Sequence, residues 1–193
     1  MNTDMTKTYS RLNLYCKFMA LLMVIPILST LIGALSPLLF YFFNIANIGL
    51  DSGGYSFFVS SVVENVDPEN LSIWQATLAT LIDTLSILIL AYAFYQLRLL
   101  LLNYSQSEYF SETSTNHCYI FGKMLVIWSI LGILSEPVLT LILTFNKDPS
   151  ERYISFSFTS EDIMTLFPAI SIMLIGQILK KACQLAEENK QFI

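Results

Sequence analysis

Apolar positions in this chain do not alternate with polar ones at a soluble-protein period; they run together in four long blocks. The blocks are 18–43, 71–97, 124–145 and 163–179. At about 1.5 Å rise per residue, ~20 apolar residues in a helix cover the ~30 Å hydrocarbon core of a bilayer. The first and third blocks contain a single charged residue between them, Glu136. The pattern predicts an all-α integral membrane protein, a bundle of four transmembrane helices forming one domain over 1–193.

Two segments between the blocks carry a different period. Tyr153-Ile154-Ser155-Phe156-Ser157-Phe158-Thr159 alternates apolar and polar residues, as a half-buried strand does. Gly53-Gly54 precedes Tyr55–Val62, which is rich in aromatic and β-branched residues. Both segments fall in the same compartment, so the sequence predicts a small extracytoplasmic β pairing between them. Two amphipathic segments lying in the membrane interface are the competing reading.

Segment 103–119 is dominated by Ser, Thr, Asn and Gln and is expected to be a loop. Within it Ser111 is the expected N-cap of a helix leading into the third span, with Glu112 in the electropositive first turn. Beyond the fourth block, the tail 180–193 is expected to continue as a helix, since alanine, leucine, glutamate and lysine all favour one. Glu187 and Lys190 then share a face at i,i+3. Such a charged helix end is ordinarily just solvated.

Charge supplies an orientation. Of ten Lys and Arg residues, eight lie on one side if the N-terminus is cytoplasmic: Lys7, Arg11, Lys17, Arg98, Lys123, Lys180, Lys181 and Lys190. Lys147 and Arg152 lie on the other, so the positive-inside rule places both termini in the cytoplasm. The first block has a basic start but exceeds a normal signal-peptide core and has no A-x-A site after it, so an uncleaved signal anchor is expected. Hydrophobic residues are 54% of the chain and charged ones 13%, half the usual soluble share, which leaves most of the surface to the lipid bilayer. A net charge of −5 argues against direct contact with nucleic acid.

Candidate chemistry is sparse. Three cysteines (Cys16, Cys118, Cys183) without C-x-x-C spacing and one histidine (His117) make neither a disulfide framework nor a zinc site, so no metal or cofactor is expected. There is no phosphate-cradling glycine loop and no G-x-S-x-G, and an intramembrane aspartyl protease would need two aspartates where this chain offers one Asp and one Glu. An enzyme is not expected.

Asp83 and Glu136 stand out as the acids at membrane depth, each nine residues in from an outer helix end marked by Trp74 or Phe145. Both are therefore expected roughly 13 Å below the outer surface, with no Lys or Arg at that level. A bare carboxylate is so unfavourable there that the pair is expected to be protonated or to share a proton or cation. Thr80, Thr84, Ser135 and Thr140 are near enough in sequence to add oxygens, and Pro137 frees the carbonyl of Ile133. In one reading this is a proton- or cation-responsive site. In the other, the acids are neutral and hold helices in register, each hydrogen bond contributing about 0.6 kcal/mol. A transporter normally needs more spans than four, which here only a homo-oligomer would supply.

A weak repeat links Ile32–Leu39 to Leu131–Leu139, and Gln96-Leu97-Arg98 to Gln177-Ile178-Leu179-Lys180-Lys181, implying equivalent places for the first and third spans.

The run Asn103-Tyr104-Ser105-Gln106-Ser107-Glu108-Tyr109-Phe110-Ser111-Glu112 resembles the "G-x-x-F-S-x-E" segment of bacterial membrane proteins called domain of unknown function 2975. The ending Gln184–Ile193 is similar to that family's "L-x-E-E-N-x-x-x-I" tail. The family's glycine is absent, Asn103-Tyr104-Ser105 standing in its place. The resemblance implies a bacterial inner-membrane protein of four helices with no established activity. Some members are encoded beside small helix-turn-helix regulators, which implies a soluble cytoplasmic partner of that type.

Two functions follow as expectations. The first is a non-enzymatic regulatory or accessory protein docking a partner through its cytoplasmic loop and tail, with Phe110, Ser111, Glu112, Lys180, Lys181, Glu187 and Glu188 as the docking candidates. The second is a small transport or proton/cation-responsive protein using Asp83 and Glu136.

Overall fold

The computed structural model describes residues 2–33, 72–146, 148–150, 152–156 and 158–191. Five helices account for nearly all of them: α1 (Asn2–Leu22), α2 (Val24–Gly33), α3 (Ile73–Ser105), α4 (Glu112–Thr144) and α5 (Ser160–Gln191). Four stretches are long and apolar enough to cross a membrane: Arg11–Leu31, Ile73–Ser105, Glu112–Ile142 and Ser160–Asn189. The fold class is thus all-helical, and the domain contains the dimensions of four spans.

The helices outrun the apolar blocks. α3 and α4 have 33 residues each, about 50 Å, against ~30 Å of hydrocarbon. Hydropathy marks only the part that meets lipid, while backbone hydrogen bonding carries the helix onward through polar residues. The expected loop 103–119 therefore shrinks to positions 106–111. The tail beyond Lys180 is helical to Gln191, as its composition predicts.

The first span is broken. Pro26 has no N–H to give the carbonyl of Leu22 four residues back, and a turn at Met23 separates α1 from α2. Helix resumes with Ile27 N donating to Met23 O at 3.4 Å. Residues 34–43 of the first block, and the Tyr55–Val62 half of the expected β pairing, lie outside the described residues. In the other half, 152–156 is neither helix nor strand, and no strand occurs among the described residues, so the expected β pairing is not formed there.

Neighbours in sequence are neighbours in space: α1 and α2 pack on α3, α3 on α4, and α4 on α5. Among the described residues no comparable packing joins α1 to α5, so the spans form a row rather than a closed ring. The tightest crossing is α4 with α5. A Cβ on Gly122 would sit 2.4 Å from the backbone nitrogen of Met173, and one on Gly176 would sit 2.6 Å from that of Tyr119. Buried Ser129 and Ala169 lie seven residues from these glycines on the same helices. Small residues at seven-residue spacing keep one stripe of each helix against the other.

Candidate functional site

Polar side chains gather at both ends of the long helices. At the acidic end, Trp74 and Phe145 meet edge to face with ring centroids 5.7 Å apart, and the Arg152 guanidinium lies 5.2 Å from the Phe145 ring. The two positions expected at the outer helix ends are therefore in contact. Gln75, 0% exposed, makes hydrogen bonds with both amide atoms: Nε2 donates to Ile142 O at 2.7 Å, while Oε1 accepts from Ser72 N at 3.0 Å and Asn146 Nδ2 at 2.7 Å.

Below this, the non-helical segment 152–156 lies along α4. Thr144 Oγ1 donates to Thr140 O at 2.7 Å and stands 3.4 Å from Tyr153 O, Ser155 N donates to Thr140 Oγ1 at 3.2 Å, and Ser155 Oγ donates to Glu136 Oε1 at 3.0 Å. Tyr153 and Ser155, two residues apart, thus lie against Thr144 and Thr140, one helical turn apart, and the Ser155 side chain reaches a further turn along to Glu136. Helix hydroxyls supply what a neighbouring strand otherwise would. This answers the demand that non-helical backbone in or near a membrane find partners within the protein.

Side chains in this segment divide in a sense suited to lipid: Ser155 turns to the helix, while Ile154, Phe156 and Phe158 are exposed.

Of the expected acid-site residues, the structure joins Glu136 and Thr140 around Ser155. Thr140, 0% exposed, also donates to the carbonyls of Glu136 and Pro137, both at 3.0 Å. Ser135 is not part of the cluster; its hydroxyl donates to Gly132 O at 2.8 Å in its own helix. Thr84 is half-buried on α3. The side chains of Thr80 and Asp83 lie outside the described residues, so the Asp83–Glu136 pairing does too. Their backbone level is informative. Eight residues along α3 from Gln75 is position 83, and eight back along α4 from Ile142 is position 134, two residues past Glu136. Among the described residues, no group of three or more His, Cys, Asp or Glu side chains is placed to hold a metal ion. Sequence reasoning missed Gln75, Thr144, Asn146 and Ser155. Only Ser155 carried a signal, the period of two.

At the basic end, positions 106–111 form a tied turn. Glu108 N donates to Asn103 O and Ser107 N to Tyr104 O, both at 3.1 Å, the paired bonds that close a helix with a left-handed residue after its cap. That residue is Ser107, at φ 68°, where glycine is usual. Asn13 of α1 donates to Ser107 Oγ at 2.7 Å and accepts from the Tyr109 hydroxyl. The Tyr104 and Tyr109 rings stand 5.7 Å apart.

Ser111 caps α4 as expected, accepting from Ser114 N at 3.2 Å, and Glu112 sits in the first turn. Ser114 in turn donates to Glu108 O at 2.6 Å. Helix α5 completes the arrangement: Lys180 Nζ donates to Asn116 Oδ1 at 2.9 Å, and the Cys183 thiol donates to Phe110 O at 2.8 Å. Lys181, Glu187 and Glu188 are exposed on the tail, and the Lys190 side chain lies outside the described residues. Gln96 is buried against His117 Nδ1 at 2.6 Å while Gln177 is exposed, so these two glutamines of the suspected repeat are not in equivalent places.

Four long apolar helices, with polar side chains turned onto one another at the two ends, define a multi-pass helical membrane protein. The chain belongs to the family described as Protein of unknown function (DUF2975), whose model matches residues 19–193. No curated protein and no solved structure matches it.

Proposed function

We propose that this is a non-enzymatic regulatory or accessory protein of a bacterial inner membrane, with both termini in the cytoplasm. A soluble protein docks on the turn 106–111 and the helical tail of α5. The eight-to-two division of basic residues supports the orientation. The observation that carries the docking reading is Phe110, 76% exposed on a turn tied to α1, α4 and α5. A large apolar side chain held rigidly outward is the kind of anchor that dominates protein interfaces, because little ordering cost remains at binding. Pull-down of the tagged chain from native membranes in mild detergent tests this. One soluble partner is expected with the intact chain and is expected to be lost on Phe110→Ala or on truncation after Lys181. Equal recovery from all three would refute the reading.

A second reading, a proton- or cation-responsive site centred on Glu136, is favoured by one observation: its carboxyl reaches a hydroxyl on a non-helical segment that a change in protonation would disturb. Replacing Asp83→Asn and Glu136→Gln tests it. Loss of pH- or ion-dependent behaviour at normal expression supports it, and unchanged behaviour leaves packing alone.

A further inference from the structure

Phe110 does not stand on neutral ground. Glu108 and Glu112 flank it in sequence, and both are exposed. The tail adds a third carboxylate. Cys183 bonds the Phe110 carbonyl, and Glu187 lies four residues further along α5, one turn outward on the same face, also exposed. Lys180, held by Asn116, and exposed Lys181 keep their positive charges, and with exposed Glu188 the carboxylates here number four against these two lysines. An acidic, apolar-centred surface therefore occupies an end of the molecule whose charged residues are otherwise mostly basic.

We infer that the docking surface around Phe110 selects a partner through a basic segment: Lys or Arg side chains set about an apolar pocket or side chain that receives the phenyl ring. This rests on the docking reading above and adds the partner's chemistry. Lipid is the wrong occupant on two counts. α3 runs seven residues past Arg98 to Ser105 before the turn begins, about 10 Å beyond the start of the basic belt. The net negative charge of this surface would also be repelled by an anionic leaflet. Opposite charges around a desolvated aromatic anchor set orientation and exclude acidic competitors, while the ring supplies much of the affinity.

The test uses the full chain in its native membrane, with p-benzoylphenylalanine incorporated at position 110 and the crosslinked peptide identified by mass spectrometry. The expected product joins position 110 to a soluble protein at a segment of net positive charge containing an apolar residue. Its yield is expected to fall about fivefold or more when Glu108→Gln, Glu112→Gln and Glu187→Gln are combined. All three side chains are exposed, so the variant is expected to fold as the parent does. A soluble protein captured through a neutral or acidic segment, or with a yield indifferent to the three substitutions, would overturn the basic-partner inference and leave the docking reading standing. Capture of lipid, of a second copy of the chain, or of nothing would overturn both.

Discussion

Thr140 and Ser155 meet across the boundary between helix and non-helical chain, the Ser155 amide donating to the Thr140 hydroxyl at 3.2 Å. The pair sits in the middle of the track that ties the descending segment to α4, so it is where that tie is most exposed to mutation. Thr140→Val keeps the shape and removes the hydroxyl, leaving the Ser155 amide without this partner. A loss of about 1–2 kcal/mol is expected. It should register as a lower unfolding temperature in detergent and faster proteolysis within 152–159. Thr140→Ser is expected to restore both.

Glu136 should separate hydrogen bonding from charge. Glu136→Gln retains a carbonyl oxygen to accept from Ser155, so protection of 152–159 is expected to survive. Glu136→Leu removes the acceptor, and protection is expected to fall. Hydrogen exchange of the Tyr153–Phe156 amides in the two variants gives the comparison.

The α4–α5 crossing depends on absent side chains. Gly122→Ala and Gly176→Ala would each press a methyl onto opposing backbone that no rotamer change can move, at 2.4 and 2.6 Å. A loss of about 1–3 kcal/mol is expected for each. Gly132 has nothing within 4 Å of a built Cβ, and Gly132→Ala is expected to be neutral or stabilising by up to about 1 kcal/mol. Thermal unfolding of the three variants in the same detergent checks the contrast.

Ser107 holds a left-handed backbone that β-branched residues adopt only with strain. Ser107→Val is expected to cost about 1–2 kcal/mol and to loosen the turn. Ser107→Gly is expected to stay near the parent, since easier backbone geometry offsets the lost bond from Asn13. Unfolding temperature, with proteolysis at 106–111, distinguishes them.

Pro26 breaks the first span, so Pro26→Ala restores an N–H four residues after the Leu22 carbonyl. Continuous helix from α1 into α2 is expected, visible as slowed amide exchange at positions 24–27.

Much of the architecture was legible because a bilayer imposes a one-dimensional rule. A span must be a run of about 20 apolar residues, and nothing about its neighbours is needed to recognise one. Composition alone therefore determined four spans, the helical tail and, from the hydroxyl of Ser111 and the acid after it, where α4 begins. The contacts between helices obey no such rule, since lipid is as apolar as leucine and hydropathy cannot say which face turns inward. Gln75 reads as an ordinary polar residue at a helix start until Ile142 and Asn146 are placed against it. Gly122 and Gly176 read as interruptions until each is seen under another helix's backbone. The period of two in 153–159 predicted a strand and the structure has none among the described residues there; only the structure decided that Ser155 faces α4 while Ile154, Phe156 and Phe158 are exposed. Spans come from local transfer energy, which each segment carries by itself. The Glu136–Ser155 contact and the hydrogen bonds that tie the turn carrying Phe110 come from registers between segments far apart in sequence, and those exist only once the chain has packed.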